Sequence, residues 1–448
     1  MAHPFWPTVP PDGRYLFAVP SHPRDIEIVR DPLWDNIRLD ADALAALDTP
    51  AMQRLRYVRQ LGQAFLVYPG ANHSRFEHAL GAYHLARRAL VQLQEQDEWA
   101  ALPDAGGEAK TVRLAALLHD VGHYPFSHSL EEAGFGSHET LGVQRLHDGE
   151  LGAVLRATGG TAFPARIGAM VTGESDSPLA GLISGSLDLD KIDYLSRDAR
   201  NCGVPYGTVD VDRLLASLTL VQLDGRWQVG VLEKGMSALE SLLFAKYQMY
   251  RNVYWHHAVR AATCMFKRAV RRAAQLHQLS AADLADATDD GLMERLTHHE
   301  PHGLAARLRA RRLHKRALDL PASSIPDGQG DWIDADPDLL ELVEDALARE
   351  LGLAPGDLLL DYPARRNMLS VDLPLRTRDG RVERLTDEGR AGALGLPRVA
   401  GELYGSARRL RLFTAAPIDL APSRLLRLLD HSSDDLRGRI AAEVALLG

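Results

Sequence analysis

Residues 111–123 read TVRLAALLHDVGH: an apolar run with the three- and four-residue spacing of a buried helix, ending on an imidazole, a carboxylate and a glycine. A helix this apolar must pack inside the molecule, so whatever follows its last turn is delivered into the interior. His119 and Asp120 are therefore expected at the end of a core helix, with Gly122 as a helix-ending glycine. Imidazole nitrogen beside carboxylate oxygen suits a divalent transition metal, and a helix end in a core can hold both donors in fixed positions. Two donors do not complete a site, and histidines at helix ends also serve as ordinary caps.

Further donors occur in two other segments that also read as helices. Upstream, YPGANHSRFEHALGAYHLARRAL supplies His73, Arg75, Glu77 and His78 where an amphipathic pattern begins. Downstream, SGSLDLDKIDYLSRDARNCGVPYG places Asp190, Tyr194 and Asp198 at four-residue steps, one helical face carrying carboxylate, phenol and carboxylate. The segment after the His-Asp pair, HYPFSHSLEEAGFGSHE, adds His123, His128, Glu131 and His138. His128 and Glu131 are spaced to share a helical face.

Residues 50–66, 76–97, 111–119, 208–217 and 233–277 carry apolar residues at helical spacing, which predicts a helical core. Around residues 219–231 two alternating runs flank Asp-Gly, the signature of a hairpin. Beyond about residue 278 a turn-rich stretch and a second alternating segment around Asp-Gly predict a smaller α+β region. The expected architecture is mainly α, with a helical core over 1–277 and an α+β region over 278–448. The formal charge of -9 argues against a nucleic-acid backbone binder, and Cys202 and Cys264 lack the spacing of a disulfide framework or thiolate zinc site. No apolar run approaches a membrane span and residues 1–15 lack a signal-peptide pattern, so a cytoplasmic protein is expected.

The blocks DTPAMQRLRYVRQLGQAFLVYPGANHSRFEHALG, HDVGHYPFSH, DLDKIDYLSRD and YRNVYWHHAV, in that order over roughly residues 25–270, resemble the deoxynucleoside triphosphate triphosphohydrolases of the SAM-and-HD-domain type. The resemblance implies an HD-domain core that cleaves a dNTP to deoxynucleoside and inorganic triphosphate. It assigns His78, His119, Asp120 and Asp190 to one divalent metal (Mg, Mn, Fe or Co), and His128, Glu131 and His138 to a catalytic relay. It places Arg75, His123, Lys191 and Lys246 on the phosphates. Gln60 and Asp198 fall on the 3′-hydroxyl, Leu61 and Tyr194 against the 2′ carbon, and Tyr254 beside the nucleotide. Family members often carry Asp at the position of Glu131 and Arg at that of Lys246. Asp48, Gln53 and Arg56 match positions that bind an activating nucleotide at a subunit interface, which implies a dimer or tetramer; no SAM domain is present.

Each assignment has an ordinary structural counterpart. Asp48 would cap a Pro-initiated helix with Arg56 as its ion-pair partner, Lys246 would be a solvated cation, and Tyr254 a core aromatic. Two other functions also fit the donors: an HD-type nucleotidase or phosphodiesterase acting on monophosphates or cyclic nucleotides, and a nucleotide sensor with a vestigial metal site.

Overall fold

A computed structural model of the chain describes residues 27–299, 303–365, 369–386, 388, 395 and 399–447. Residues 1–15, read above for a leader, and residues 366–368 of the second alternating segment lie outside the described residues. Helices dominate, and among the described residues no helix is long and apolar enough to cross a membrane.

The central helix Arg75–Gln94 starts at a capping box, in which Ser74 and Glu77 exchange hydrogen bonds with each other's backbone. It packs against Ala105–Leu118, which buries Val112 and the whole stretch Leu114–Leu118. The third element of this core is Leu189–Cys202: Asp188 caps its start by accepting the Lys191 N–H, and Gly203 closes it in the left-handed conformation.

The 50–66 segment does not form one helix. It breaks into Pro50–Arg54 and the short 3₁₀ turns Leu55–Tyr57 and Gly62–Leu66. Gly62, at φ +51, marks the break: a Cβ there would meet the Phe126 carbonyl oxygen at 2.8 Å. Asp48 is not the cap of Pro50–Arg54. That place falls to Thr49, whose hydroxyl donates to the Ala46 carbonyl instead of capping. The long 233–277 segment is interrupted too, by a π turn at Tyr250–Tyr254 between Met236–Met249 and His257–Gln275.

Gly122 is needed for a different reason from the one expected. It does not take a left-handed conformation, but a Cβ there would lie 2.1 Å from the His138 carbonyl oxygen and 2.3 Å from the Gly142 nitrogen. The helix His138–His147 thus rests directly on the loop after the His-Asp pair. Because both clashing groups are backbone, Gly122→Ala is expected to lower stability by about 1–3 kcal/mol, read from a denaturation midpoint.

Among the described residues, strands fall into three groups. β1 (Glu27–Asp31) and β2 (Asp35–Leu39) form an N-terminal hairpin. β3 (Leu218–Leu223) and β4 (Arg226–Leu232) form the expected hairpin; Asp224 and Gly225 have φ +52 and +76, as a tight hairpin turn requires. β5 (Lys315–Pro321), β6 (Leu358–Asp361), β7 (Leu373–Arg376), β8 (Val382–Leu385) and β9 (Arg409–Thr414) follow. β5, β9 and β6 make an antiparallel sheet in the C-terminal α+β region. Its strands alternate: Leu358, Leu360, Leu410 and Leu412 face a core with helices Pro337–Glu350 and Pro422–Leu429, whereas Leu359 and Phe413 pack with His257–Gln275. β7 and β8 instead join the first hairpin in the order β3-β4-β7-β8, β4 and β7 running parallel. That sheet therefore takes strands from both sides of residue 278.

Candidate functional site

The donor cluster forms where the three core helices meet. His78 lies one turn into Arg75–Gln94, His119 is the last residue around Ala105–Leu118, and Asp190 sits in the first turn of Leu189–Cys202. His78 Nε2 is 3.1 Å from His119 Nε2 and 2.9 Å from Asp190 Oδ1. Asp120 stands 3.4 Å from His119 Nε2 and 3.6 Å from His78 Nε2, and Asp190 is 3.5 Å from His119. Donors held roughly 2.1 Å from a common centre lie about 3.0–3.4 Å apart at octahedral or tetrahedral angles, so His78, His119 and Asp120 are grouped closely enough to hold one divalent ion, with Asp190 beside the two imidazoles.

Hydrogen bonds fix both imidazoles for that role. His119 Nδ1 donates to the Ala116 carbonyl at 2.9 Å, and His78 Nδ1 to Asp193 Oδ2 at 2.7 Å. Each ring therefore turns its Nε2 toward the cluster. Burial alone would depress the His78 pKa, yet hydrogen bonds to Asp190 and Asp193 overcome it and raise it to about 10. The surroundings favour positive charge at this point.

The relay segment lies beside the cluster. Phe126 and Ser127 both have positive φ (+56 and +59), and Asp289 anchors the bend by accepting the Phe126 N–H at 2.8 Å. His128 Nδ1 meets Glu131 Oε2 at 2.6 Å and His138 Nδ1 meets Glu131 Oε1 at 2.6 Å. Although burial alone would raise its pKa, Glu131 is held far below the usual carboxylate range by these two bonds. Being ionised, it only accepts, so both imidazoles turn an Nδ1 proton to it; burial holds the His128 pKa below the ordinary imidazole value, which leaves its Nε2 unprotonated. The longer side chain of Glu at this position reaches both rings. His123 stacks on His138 at 3.8 Å; burial, together with Arg75, holds it well below the ordinary imidazole pKa. Its Nε2 lies 3.1 Å from Asp120 Oδ1, and its buried Nδ1 has no hydrogen-bond partner.

His119, Asp120, Asp190, His123, His128 and His138 all border one open cavity of about 800 Å³, the size of a cofactor or nucleotide pocket. His78 and Glu131 stand just behind its wall. Arg75, Lys191 and Lys246 border it as well. Arg75 donates to Asp120 Oδ2 at 2.5 Å, and Lys191 Nζ lies on Asp188 Oδ2 at 2.6 Å and on the Gly185 carbonyl at 2.9 Å.

Gln60, Leu61, Tyr194, Asp198 and Tyr254 form another part of the wall. Gln60 Oε1 is buried without a hydrogen-bond partner, an acceptor suited to a ligand hydroxyl. Asp198 is more engaged than the sequence suggests: it accepts from the Tyr254 hydroxyl at 2.7 Å and pairs with His73 Nε2 at 2.8 Å. The π turn carries Tyr250 and Tyr254 to the cavity. Asp48, Gln53 and Arg56 lie elsewhere, with Gln53 accepting from Arg56 Nε at 2.8 Å and the guanidinium covering the Phe76 ring at 3.6 Å.

Several participants were given no role by the sequence, although His73 stood among its donors. His73 supports Asp198, Ser127 bridges Arg75 to the Arg59 and Gln60 carbonyls, and Asp193 orients His78. Asp193 and Arg197 at i,i+4 on one helix were a legible ion pair, but nothing local tied them to His78.

The HD domain family model matches residues 75–198, and the HD associated region matches residues 209–389. The uncharacterized protein MJ1154 of Methanocaldococcus jannaschii is 36% identical over 65% of this chain and 60% of its own length. The uncharacterized protein YwfO of Bacillus subtilis is 38% identical over 58% of this chain and 56% of its own. The deoxynucleoside triphosphate triphosphohydrolase SAMHD1 of Bos taurus is 27% identical over 52% of this chain and 45% of its own. The chain thus spans roughly half the length of these curated relatives. Among solved structures, a hypothetical protein from Aquifex aeolicus superposes with a TM-score of 0.67 at 26% identity, covering 87% of this chain and 97% of that one. A phosphohydrolase from Bacteroides thetaiotaomicron shares the fold, with a TM-score of 0.67 at 22% identity over 87% of this chain and 100% of that one. With both regions matched in order, the chain carries an HD domain followed by an HD associated region.

Proposed function

We propose that this protein hydrolyses deoxynucleoside triphosphates to deoxynucleoside and inorganic triphosphate with one divalent metal bound by His78, His119, Asp120 and Asp190. The observation that carries the reading is the placement of the Glu131-oriented His128 on the same cavity as the four-donor cluster. The likeness to the Bos taurus triphosphohydrolase supports the substrate class.

In this reading water adds to the α-phosphorus, the P–O5′ bond breaks, and the departing 5′-oxygen takes up a proton. A bound metal supplies a Lewis acid for a phosphate oxygen and an acidified water. His128, with Nε2 unprotonated, holds the attacking water and accepts its proton; Glu131 stabilises the imidazolium, and His138 braces Glu131. Arg75, Lys191 and Lys246 supply the positive charge a triphosphate needs, Arg75 and Lys191 by exchanging carboxylate partners for phosphate oxygens. His123, a neutral ring paired with Asp120, donates to a phosphate oxygen only by exchanging that carboxylate for it. Gln60 and Asp198 hold the 3′-hydroxyl, Leu61 and the Tyr194 ring exclude a 2′-hydroxyl, and Tyr254 braces Asp198.

The sugar pocket gives a sharp expectation. A ribonucleotide would bind with an unpaired or clashing 2′-hydroxyl, costing about 1–3 kcal/mol, so dNTPs should exceed NTPs by roughly tenfold to several hundredfold in kcat/KM. Incubation with each dNTP and NTP over Mg²⁺, Mn²⁺, Fe²⁺ and Co²⁺, with products resolved by chromatography, tests both sugar and product. Equal turnover of GTP and dGTP refutes the pocket; release of pyrophosphate in place of triphosphate refutes the cleavage site.

One observation favours a second reading. Because Arg75 and Lys191 are tied to Asp120 and Asp188, a less charged phosphoester would require less rearrangement. Faster turnover of a dNMP or cyclic nucleotide in the same assay would select a nucleotidase or phosphodiesterase, and turnover of nothing would select a nucleotide sensor. Regulation through Asp48, Gln53 and Arg56, and assembly into a dimer or tetramer, belong to the same proposal; added GTP should then raise both the rate and the solution mass.

A further inference from the structure

The first metal-donor helix is braced from behind by the β1–β2 hairpin, which lies outside the residues matched to the HD domain. Asp31, the last residue of β1, accepts the Leu33 and Trp34 backbone N–H groups at 2.8 Å each and so shapes the hairpin turn. Its carboxylate also receives Arg197 NH1 at 2.9 Å. Arg197, fully buried, turns its remaining donors on Asp193: Nε and NH2 each lie 2.9 Å from a carboxylate oxygen. Asp193, equally buried, takes two more hydrogen bonds, from the Trp34 indole at 2.5 Å and from His78 Nδ1 at 2.7 Å. A Cβ on Gly81 would lie 1.8 Å from Asp193 Oδ1 and 2.5 Å from Arg197 NH2, so the helix carries its glycine where the pair crosses.

We infer that Asp31 and Trp34 are positioning residues for His78, making the N-terminal hairpin part of the metal site. The inference rests on the assignment of His78, His119, Asp120 and Asp190 to a metal. A fully bonded Asp193 carboxylate accepts only, so it fixes the His78 proton on Nδ1 and points Nε2 at the other donors. Asp31, Arg197 and Asp193 together leave one net negative charge behind the imidazole, which strengthens it as a ligand. Removing the charge of Asp31 leaves Arg197 paired with Asp193 alone, and the net charge behind His78 falls to zero. Removing the Trp34 donor takes away one of the four hydrogen bonds that orient the Asp193 carboxylate and leaves Oδ1 held by Arg197 alone.

The test is metal affinity, with no substrate present. Metal-free full-length protein is titrated with Mn²⁺ by calorimetry, with His119→Ala as the control that must abolish binding. Asp31→Asn keeps an acceptor for the Leu33 and Trp34 amides and is expected to weaken Mn²⁺ binding about ten- to a hundredfold, as loss of an outer hydrogen-bond partner does in other metal sites. Trp34→Phe is expected to weaken it in the same direction, and it decides the question if Asp31→Asn does not fold. A Co²⁺ complex of either variant should show altered visible absorption bands. Wild-type Mn²⁺ affinity in a variant that circular dichroism shows to be folded overturns the inference and leaves the hairpin a purely structural brace. If the wild-type chain binds no Mn²⁺, or His119→Ala binds it normally, the metal assignment itself fails.

Discussion

Replacing His119 with alanine and Asp120 with asparagine is expected to strip the metal and lower turnover by roughly a thousandfold or more. A Lewis acid on a reacting phosphoryl group supplies several kcal/mol of transition-state stabilisation, and each 1.36 kcal/mol is a factor of ten in rate. The choice of asparagine follows from the structure. Asp120 Oδ2 is the 2.5 Å partner of Arg75, and both side chains are almost wholly buried. Alanine at 120 would strand the Arg75 guanidinium, and breaking a buried pair from one side costs about 3–5 kcal/mol of stability. Asparagine keeps an acceptor for Arg75 while removing the charge a cation needs. Metal content by elemental analysis, turnover and a thermal midpoint are measured together. Undiminished hydrolysis by a metal-free variant would refute the metal assignment, whereas loss of both fold and activity in the asparagine variant would make the pair chiefly structural.

The second large effect is expected from the relay. His128→Ala should lower kcat by about 10²–10⁴-fold with metal content unchanged, the range typical of a lost general acid or base. Glu131→Gln separates orientation from chemistry. Glu131 Oε1 takes two N–H donors, from the backbone and from Nδ1 of His138, whereas Oε2 takes only His128 Nδ1. An amide must therefore place its oxygen toward His138 and its NH₂ toward His128. That forces His128 into the opposite tautomer, with Nε2 protonated toward the cavity. Glu131→Gln should approach the His128→Ala defect although the His128 imidazole is still present. Histidine NMR reads the tautomer, and single-turnover kinetics reads the step. A variant with the swapped tautomer and full activity would remove His128 from the mechanism.

The sequence carried the chemistry because ligand types and helical spacing are local. Apolar periodicity placed His119 at a helix end in the core, and the four-residue steps of Asp190, Tyr194 and Asp198 put all three on the cavity. The β3–β4 hairpin was legible from Asp-Gly for the same reason: its two left-handed residues are a property of the turn itself. Element boundaries were less legible where distant backbone intervenes. The 50–66 segment has helical spacing, yet contact between Gly62 and the Phe126 backbone breaks it, and Gly122 answers to helix His138–His147, not to its own helix.

What the sequence by itself determined is the set of donors and the faces that present them, since periodicity dictates which residues share a helix surface and burial then dictates what that surface meets. The tertiary structure alone decided their pairing. It tied Arg75 to Asp120 and Asp198 to His73, and brought Asp31 and Trp34 behind His78 from a hairpin far along the chain. The physical reason is that a buried charge must find partners wherever the fold puts them, and no local pattern records a partner that is 166 residues distant, as Asp31 is from Arg197.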